Sequence, residues 1–174
     1  PLVAREDVFG VSERIVAKGT VQQPLDEESV RVALDAAVAA ECDSVVVALL
    51  HAYRNPAHEK QISALAKAEY PQLLVALSSE IWPIIREYER TVTAVVSTYA
   101  QRKMRHYLDS LEAALTEMGV PAKPMITKSN GGVMSADMSK VVCENALLSG
   151  TASVVIGAAR IARECGAGDT LSLD

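Results

Sequence analysis

The stretch SVVVALLHAYRNPAHEKQISALAKAEYPQLLVALS, residues 44–78, decides the fold class. It opens on SVVVALL, residues 44–50, a continuous β-branched run of strand length that suits a strand buried on both faces of a sheet. Asn55-Pro56 makes a turn, and Pro56 suits the first position of a helix that carries Ile62, Leu65 and Ala66 inward. Pro71 ends that helix, and LLVALS, residues 73–78, is a second short strand. Strand, helix and strand at this spacing predict a parallel βαβ unit, hence an α/β fold.

Upstream, DVFGVSERI alternates loosely up to Gly19 and forms an entry segment. Pro24 and Asp26 then set a helix start, with Val30, Ala33, Leu34, Ala37 and Val38 on one face and an end near Glu41. Downstream of Trp82-Pro83 the period changes to that of one long helix from Glu87 to Met118. Its apolar face is expected to carry Val92, Val95, Val96, Tyr99, Tyr107, Leu108, Leu111, Leu115 and Met118, while Arg102, Arg105, Asp109 and Glu112 fall elsewhere. Gly119 and Pro121 stop it. PMITKS then predicts a strand running into the tight turn NGG, and Ser135 a capped helical turn. An Ala-rich helix follows over residues 151–165, Gly166 and Gly168 break it, and TLSLD reads as a last strand.

The chain has 174 residues, 49% of them hydrophobic, enough for one core. Against 22 acidic residues stand 17 Lys and Arg with no basic run, so nucleic acid is disfavoured as a partner. No apolar stretch approaches the roughly 18 residues of a membrane span, and PLVARED lacks the opening of a signal peptide. Cys42, Cys143 and Cys165 are odd in number and form no CxxC pair, which points to reduced, mostly buried thiols and a cytoplasmic protein.

Four groups invite chemistry. His51, His58 and Glu59 have metal-binding chemistry but no third strong ligand nearby, which favours a turn histidine and a helix-start acid. REYERT, residues 86–91, reads as ion pairing on a solvated helix face, Glu87 included. SNGG offers either an anion cradle of backbone N–H groups or a plain turn, and spacing favours the turn. Ser149-Gly150 ahead of a helix could present N–H groups to phosphate. No nucleophile, base and orienting acid fall in a defensible triad, so spacing alone shows no catalytic centre.

The order of SVVVALLHAYRNPAHE, LSSEIWPIIREYERT, YLDSLEAAL, ITKSNGG and LLSGTASVVIGAARIA resembles the N-methylhydantoinase A and 5-oxoprolinase family across nearly the whole chain. That resemblance implies part of an ATPase fold of the actin and heat-shock-chaperone type, with residues 1–174 a single, incomplete α/β segment of a larger domain. It further implies an ATP-dependent enzyme that opens cyclic amides or, in relatives, carboxylates ketones, with a hydantoinase B-like second subunit or a homo-oligomer as the assembly and the isolated piece inactive; a non-catalytic binding or regulatory relative is the alternative. The nucleotide-binding residues it implies are Asn130, Gly131, Gly132, Ser149, Gly150 and Asp174, with Asp174 opening a second phosphate loop and holding Mg²⁺. ATP and Mg²⁺ are expected in the full-length protein and neither in the isolated piece. One departure stands out: the family pattern Ser-Gly-Pro-Ala-Gly-Gly is replaced by SGTASV, residues 149–154, which removes a fixed φ and two sites of close backbone approach.

Overall fold

The computed structural model describes residues 2–171. Strands β1 (Arg14–Ile15) and β2 (Val21–Gln23) pair antiparallel, joined by a turn in which Gly19 takes the left-handed region at φ 84°. Helix α1 (Glu27–Ala39) starts where Asp26 predicts it, because the Asp26 carboxylate accepts from the Glu28 N–H. It buries Val30, Leu34 and Ala37. Strand β3 (Ser44–Val47) and strand β4 (Leu74–Leu77) pair in parallel register across helix α2 (Ala57–Glu69), the βαβ unit expected from residues 44–78. Pro56 stands just before α2, one residue ahead of the first helical position expected for it, and its carbonyl accepts from the Lys60 N–H at 3.0 Å.

Val30, Leu34, Val47, Ile62, Ala66, Leu73 and Leu77 form the core of this part. Across its surface the Arg31 guanidinium clamps α1 to α2 with a two-pronged contact to Glu69, at 2.9 and 3.0 Å. Hydrogen bonding to Arg31 holds the Glu69 carboxyl below its ordinary range. The expectation of β3 buried on both faces is corrected: only Val47 is buried, and Ser44, Val45 and Val46 are half-buried. Its sheet has two strands among the described residues, too few to cover it.

A short helix α3 (Ser78–Ile81) leads into the long helix α4 (Glu87–Glu117). The length matches the periodic pattern, but the buried stripe does not. Tyr99 and Met118 are 69% and 75% exposed and Tyr107 is exposed; of the expected stripe Leu108 is buried, and the other buried positions are Arg90, Ala94, Ser97 and Thr98. Spacing of three and four is satisfied by more than one stripe on so long a helix. The stripe with small side chains is the one that admits close neighbours.

The described chain divides into two compact units, Pro1–Thr98 and Tyr99–Asp174, with the division inside α4. In the second unit, β5 (Met125–Thr127) and β6 (Val133–Ser135) form a hairpin, and α5 (Ala136–Ser139) begins at Ser135, whose hydroxyl accepts from the Met138 N–H as expected. The Lys140 ammonium bridges Asp109 and Glu112 at 2.7 and 2.6 Å, and those two carboxylates raise its pKa to about 12. Helix α6 (Ser149–Glu164) starts two residues earlier than predicted and buries none of its residues. Val155, Ile156 and Ile161 are exposed along it. A 3-10 turn ahead of α6 extends the helical run to Cys143–Glu164, 22 residues that are long and apolar enough to cross a membrane by length and composition, which revises the expectation that no segment reaches span length. The cysteines are free, but only Cys143 is buried and Cys165 is exposed, so the expectation of mostly buried thiols is also corrected. Thr170 and Leu171 carry no regular structure, and the rest of the expected last strand lies outside the described residues.

Candidate functional site

Lys128 to Gly132 close the β5–β6 hairpin. The Lys128 N–H donates to the Gly132 carbonyl at 2.8 Å, and the Gly131 N–H returns to the Lys128 carbonyl at 2.9 Å. The Gly132 N–H donates to the Asn130 Oδ1 at 3.0 Å. The N–H groups of both glycines therefore bond inside the turn, which is the plainer of the two readings of SNGG. Gly131 sits at φ 83°, and a Cβ there would overlap the Ile156 Cδ1 of α6, so glycine serves both the turn and its packing.

The same turn is tied to the head of α6. Ser129 donates from both its N–H and its hydroxyl to the Asn145 carbonyl, at 2.6 and 2.9 Å, and the hydroxyl accepts from the Leu148 N–H at 3.3 Å. The structure thus brings Asn130, Gly131 and Gly132 beside the segment that leads into Ser149 and Gly150. No side chain caps α6. Its first-turn N–H groups lack intrahelical acceptors and suit an anion. Asp174 lies outside the described residues.

We expect Gly131→Ala to lower stability by about 1–2 kcal/mol, from left-handed strain and displacement of Ile156. Gly157→Ala, inside α6 where a Cβ meets nothing within 4 Å, should instead raise it by up to about 1 kcal/mol. Urea denaturation of the two variants checks both signs.

The first unit holds a buried charged network that sequence reasoning missed. Glu59, read from sequence as a helix-start acid, is 0% exposed. Its carboxylate accepts from the Leu49 N–H at 3.0 Å, the Ser78 hydroxyl at 2.7 Å, and the Ser79 N–H and hydroxyl at 3.0 and 2.6 Å. Arg90, read as part of a solvated pair, is 1% exposed. Its Nε donates to the Ser78 hydroxyl at 3.1 Å, while its terminal nitrogens donate to the Ile84 and Leu49 carbonyls at 2.8 and 2.7 Å. The two charges share one serine oxygen, and four donors satisfy the carboxylate, the condition under which burial of ions is tolerated. Arg86 and Glu89 keep the solvated reading, paired at 3.4 Å on the surface. The available signal was the small-residue stripe Ala94, Ser97 and Thr98 in register with Arg90, since such a stripe marks a closely packed helix face.

The residues of the suspected metal group are engaged separately. His58 Nδ1 lies 2.7 Å from the Glu13 carboxylate, both side chains buried, while Glu59 is engaged as above. His51 stands apart in the turn after β3, at φ 58°. Its Nδ1 is enclosed without a hydrogen-bond partner, 4.0 Å from a Glu87 carboxylate oxygen. No three His, Cys, Asp or Glu side chains among the described residues are placed to hold a metal ion.

Two family models match this chain: the hydantoinase/oxoprolinase N-terminal region over residues 1–70 and hydantoinase/oxoprolinase over residues 90–174. The chain is 34% identical over 171 residues to the acetophenone carboxylase gamma subunit of Aromatoleum aromaticum, covering 95% of this chain and 23% of that protein. It is 30% identical to the caprolactamase subunit alpha of Pseudomonas jessenii, covering 99% and 25% respectively. A crystal structure of the ATP-dependent caprolactamase from that organism matches with a TM-score of 0.76 at 30% identity, over 90% of this chain and 23% of that one. The nucleotide-free structure of acetone carboxylase, from work on ATP-dependent acetone carboxylation, matches with a TM-score of 0.82 at 29% identity, over 95% and 24%. The chain spans about a quarter of the length of these relatives. Its mixed α/β architecture, with one βαβ unit and a 31-residue helix, is the corresponding part of their ATPase-like fold. This chain belongs to the hydantoinase/oxoprolinase family.

Proposed function

We propose that this chain is part of a cytoplasmic, ATP-dependent enzyme that couples nucleotide cleavage to the opening of a cyclic amide. The observation that carries this reading is the alignment with the caprolactamase alpha subunit over 99% of the chain. A lactam is a poor electrophile, and coupling its opening to cleavage of a phosphoanhydride makes the reaction favourable. The uncapped head of α6 suits the nucleotide phosphates, with Ser149 and Gly150 N–H groups as donors. The Asn130-Gly131-Gly132 turn then acts by fixing that helix through Ser129 and Ile156 rather than by offering its own N–H groups. Asp174 supplies the carboxylate for Mg²⁺, which would neutralise phosphate charge.

A second reading is a subunit of an ATP-dependent ketone carboxylase, favoured by the 34% identity to the acetophenone carboxylase gamma subunit. A hydantoinase B-like second chain would complete either assembly. The two readings separate in one assay on the full-length protein purified with whatever chain accompanies it. ADP release is measured with a panel of lactams, 5-oxoproline and hydantoins, and again with ketones plus bicarbonate. We expect ADP release that depends on a cyclic amide and yields the ring-opened amino acid. Release only with ketone and bicarbonate would replace the first reading by the second.

A further inference from the structure

The turn after β3 is held more firmly than a surface turn requires. The N–H groups of Arg54 and Asn55 both donate to the His51 carbonyl, at 2.9 and 3.1 Å. The Asn55 side chain donates to the Gly19 carbonyl at 2.8 Å and accepts from the Ala57 N–H at 3.1 Å. Two residues before His51, the buried network grips Leu49 by its N–H, through Glu59, and by its carbonyl, through Arg90. His51 is thereby kept in the left-handed region, a conformation that costs a non-glycine residue free energy and persists only where its surroundings over-determine it.

That conformation delivers the imidazole to the carboxyl end of the parallel β3–β4 pair, the edge at which open α/β sheets bind their ligands. The ring lies edge-on to Tyr53, with centroids 6.3 Å apart, and its side chain is 27% exposed. The enclosed nitrogen, Nδ1, faces Glu87 at 4.0 Å. A histidine used for packing satisfies such a nitrogen, as His58 does with Glu13 at 2.7 Å. In a ligand-free site, hydrogen bonds of the catalytic groups are commonly long and tighten when substrate binds.

We propose that His51 and Glu87 form an acid–base dyad, in which Nε2 of His51 moves the proton during ring opening and Glu87 positions the imidazole through Nδ1–H. The assignment rests on the cyclic-amide reading given above. In the step, Nε2 takes one proton from the attacking water as the water oxygen bonds to the amide carbon. When the carbon–nitrogen bond breaks, its electron pair stays on nitrogen, which takes that proton back from the imidazolium. The γ-phosphoryl group of the nucleoside triphosphate, transferred to the amide oxygen before the water attacks, leaves the diphosphate; ring opening then gives an acyl phosphate and an amine, and a second water cleaves the acyl phosphate to the carboxylic acid and phosphate. His51 is the catalytic residue and Glu87 a positioning residue.

The test uses the full-length protein and His51→Gly, a variant that relieves the left-handed strain and leaves a hole of imidazole size. With a lactam that supports ADP release, kcat should fall by about 10²–10⁴ with little change in KM, and added imidazole should restore part of it. Glu87→Gln should lower kcat several-fold alone and have no further effect in the His51→Gly background. A substrate-independent measurement runs in parallel: diethyl pyrocarbonate modification of His51, followed by peptide mass spectrometry against the exposed His106, should slow several-fold in Glu87→Gln. Wild-type kcat in His51→Gly, or a loss that imidazole does not relieve, overturns the dyad, as does an unchanged modification rate. If the wild-type protein releases no ADP with any cyclic amide, the functional reading fails by itself, and the modification rates still decide whether Glu87 orients His51.

Discussion

Glu59→Ala is expected to cost about 3–5 kcal/mol of stability, the range for removing one partner of a buried ionic network. Four donors, from Leu49, Ser78 and Ser79, would lose their acceptor, and the Arg90 charge would remain buried with no counter-charge in the network. Against a typical stability of roughly 5–15 kcal/mol for a whole domain, that loss unfolds a large fraction of the protein at ordinary temperature. Glu59→Gln keeps one carbonyl acceptor but turns an amide N–H toward donors, so an intermediate loss is expected. Arg86→Ala is the matched control, because its pair with Glu89 is on the surface and should change stability by no more than about 1 kcal/mol. Urea denaturation followed by circular dichroism measures all three. A Glu59→Ala midpoint close to that of Arg86→Ala would mean that the network is structurally dispensable.

In the full-length protein, Asp174→Asn should lower turnover by about 10² or more, as for an electrostatic contact worth about 3 kcal/mol. The substitution keeps the shape of the side chain and removes the charge assigned to Mg²⁺, so folding should be nearly unchanged. The expectation comes from the family resemblance, since the residue lies outside the described part of the chain. ADP release with substrate present is the readout, with circular dichroism as the check on folding. A folded variant at the wild-type rate would make Asp174 an ordinary residue and move the metal-binding carboxylate elsewhere. His51→Gly and Asp174→Asn also differ in kind: imidazole should relieve the first and leave the second untouched.

Much of the fold was legible because it is governed by short-range rules. Asp26 starts α1 and Ser135 starts α5 by bonds to N–H groups two or three residues away. Gly131 takes the left-handed turn, and the apolar runs at residues 44–50 and 73–78 supply the two strands that pair in parallel across α2. The order of motifs carried the family, since several linked stretches across nearly the whole chain constrain the fold far more than one motif can.

The chemistry was less legible, for a physical reason visible in particular residues. Sequence places Arg90 and Glu59 in the first turns of helices, where solvation is the ordinary expectation. Only the fold supplies Leu49, Ser78 and Ser79, between 10 and 20 residues from Glu59, to take the place of water around its charge. Periodicity likewise finds α4 but not its buried side, because Tyr99 and Ala94 obey the same helical geometry and differ only in what packs against them. His51 is the sharpest case. Its residue type was plain, but its left-handed backbone and the approach of Glu87 depend on charges buried beneath the turn. By itself the sequence determined the βαβ unit, the long helix, their order and the family. The tertiary structure decided which polar groups were desolvated, because the cost of burying a charge is set by neighbours that the chain brings together only when it folds.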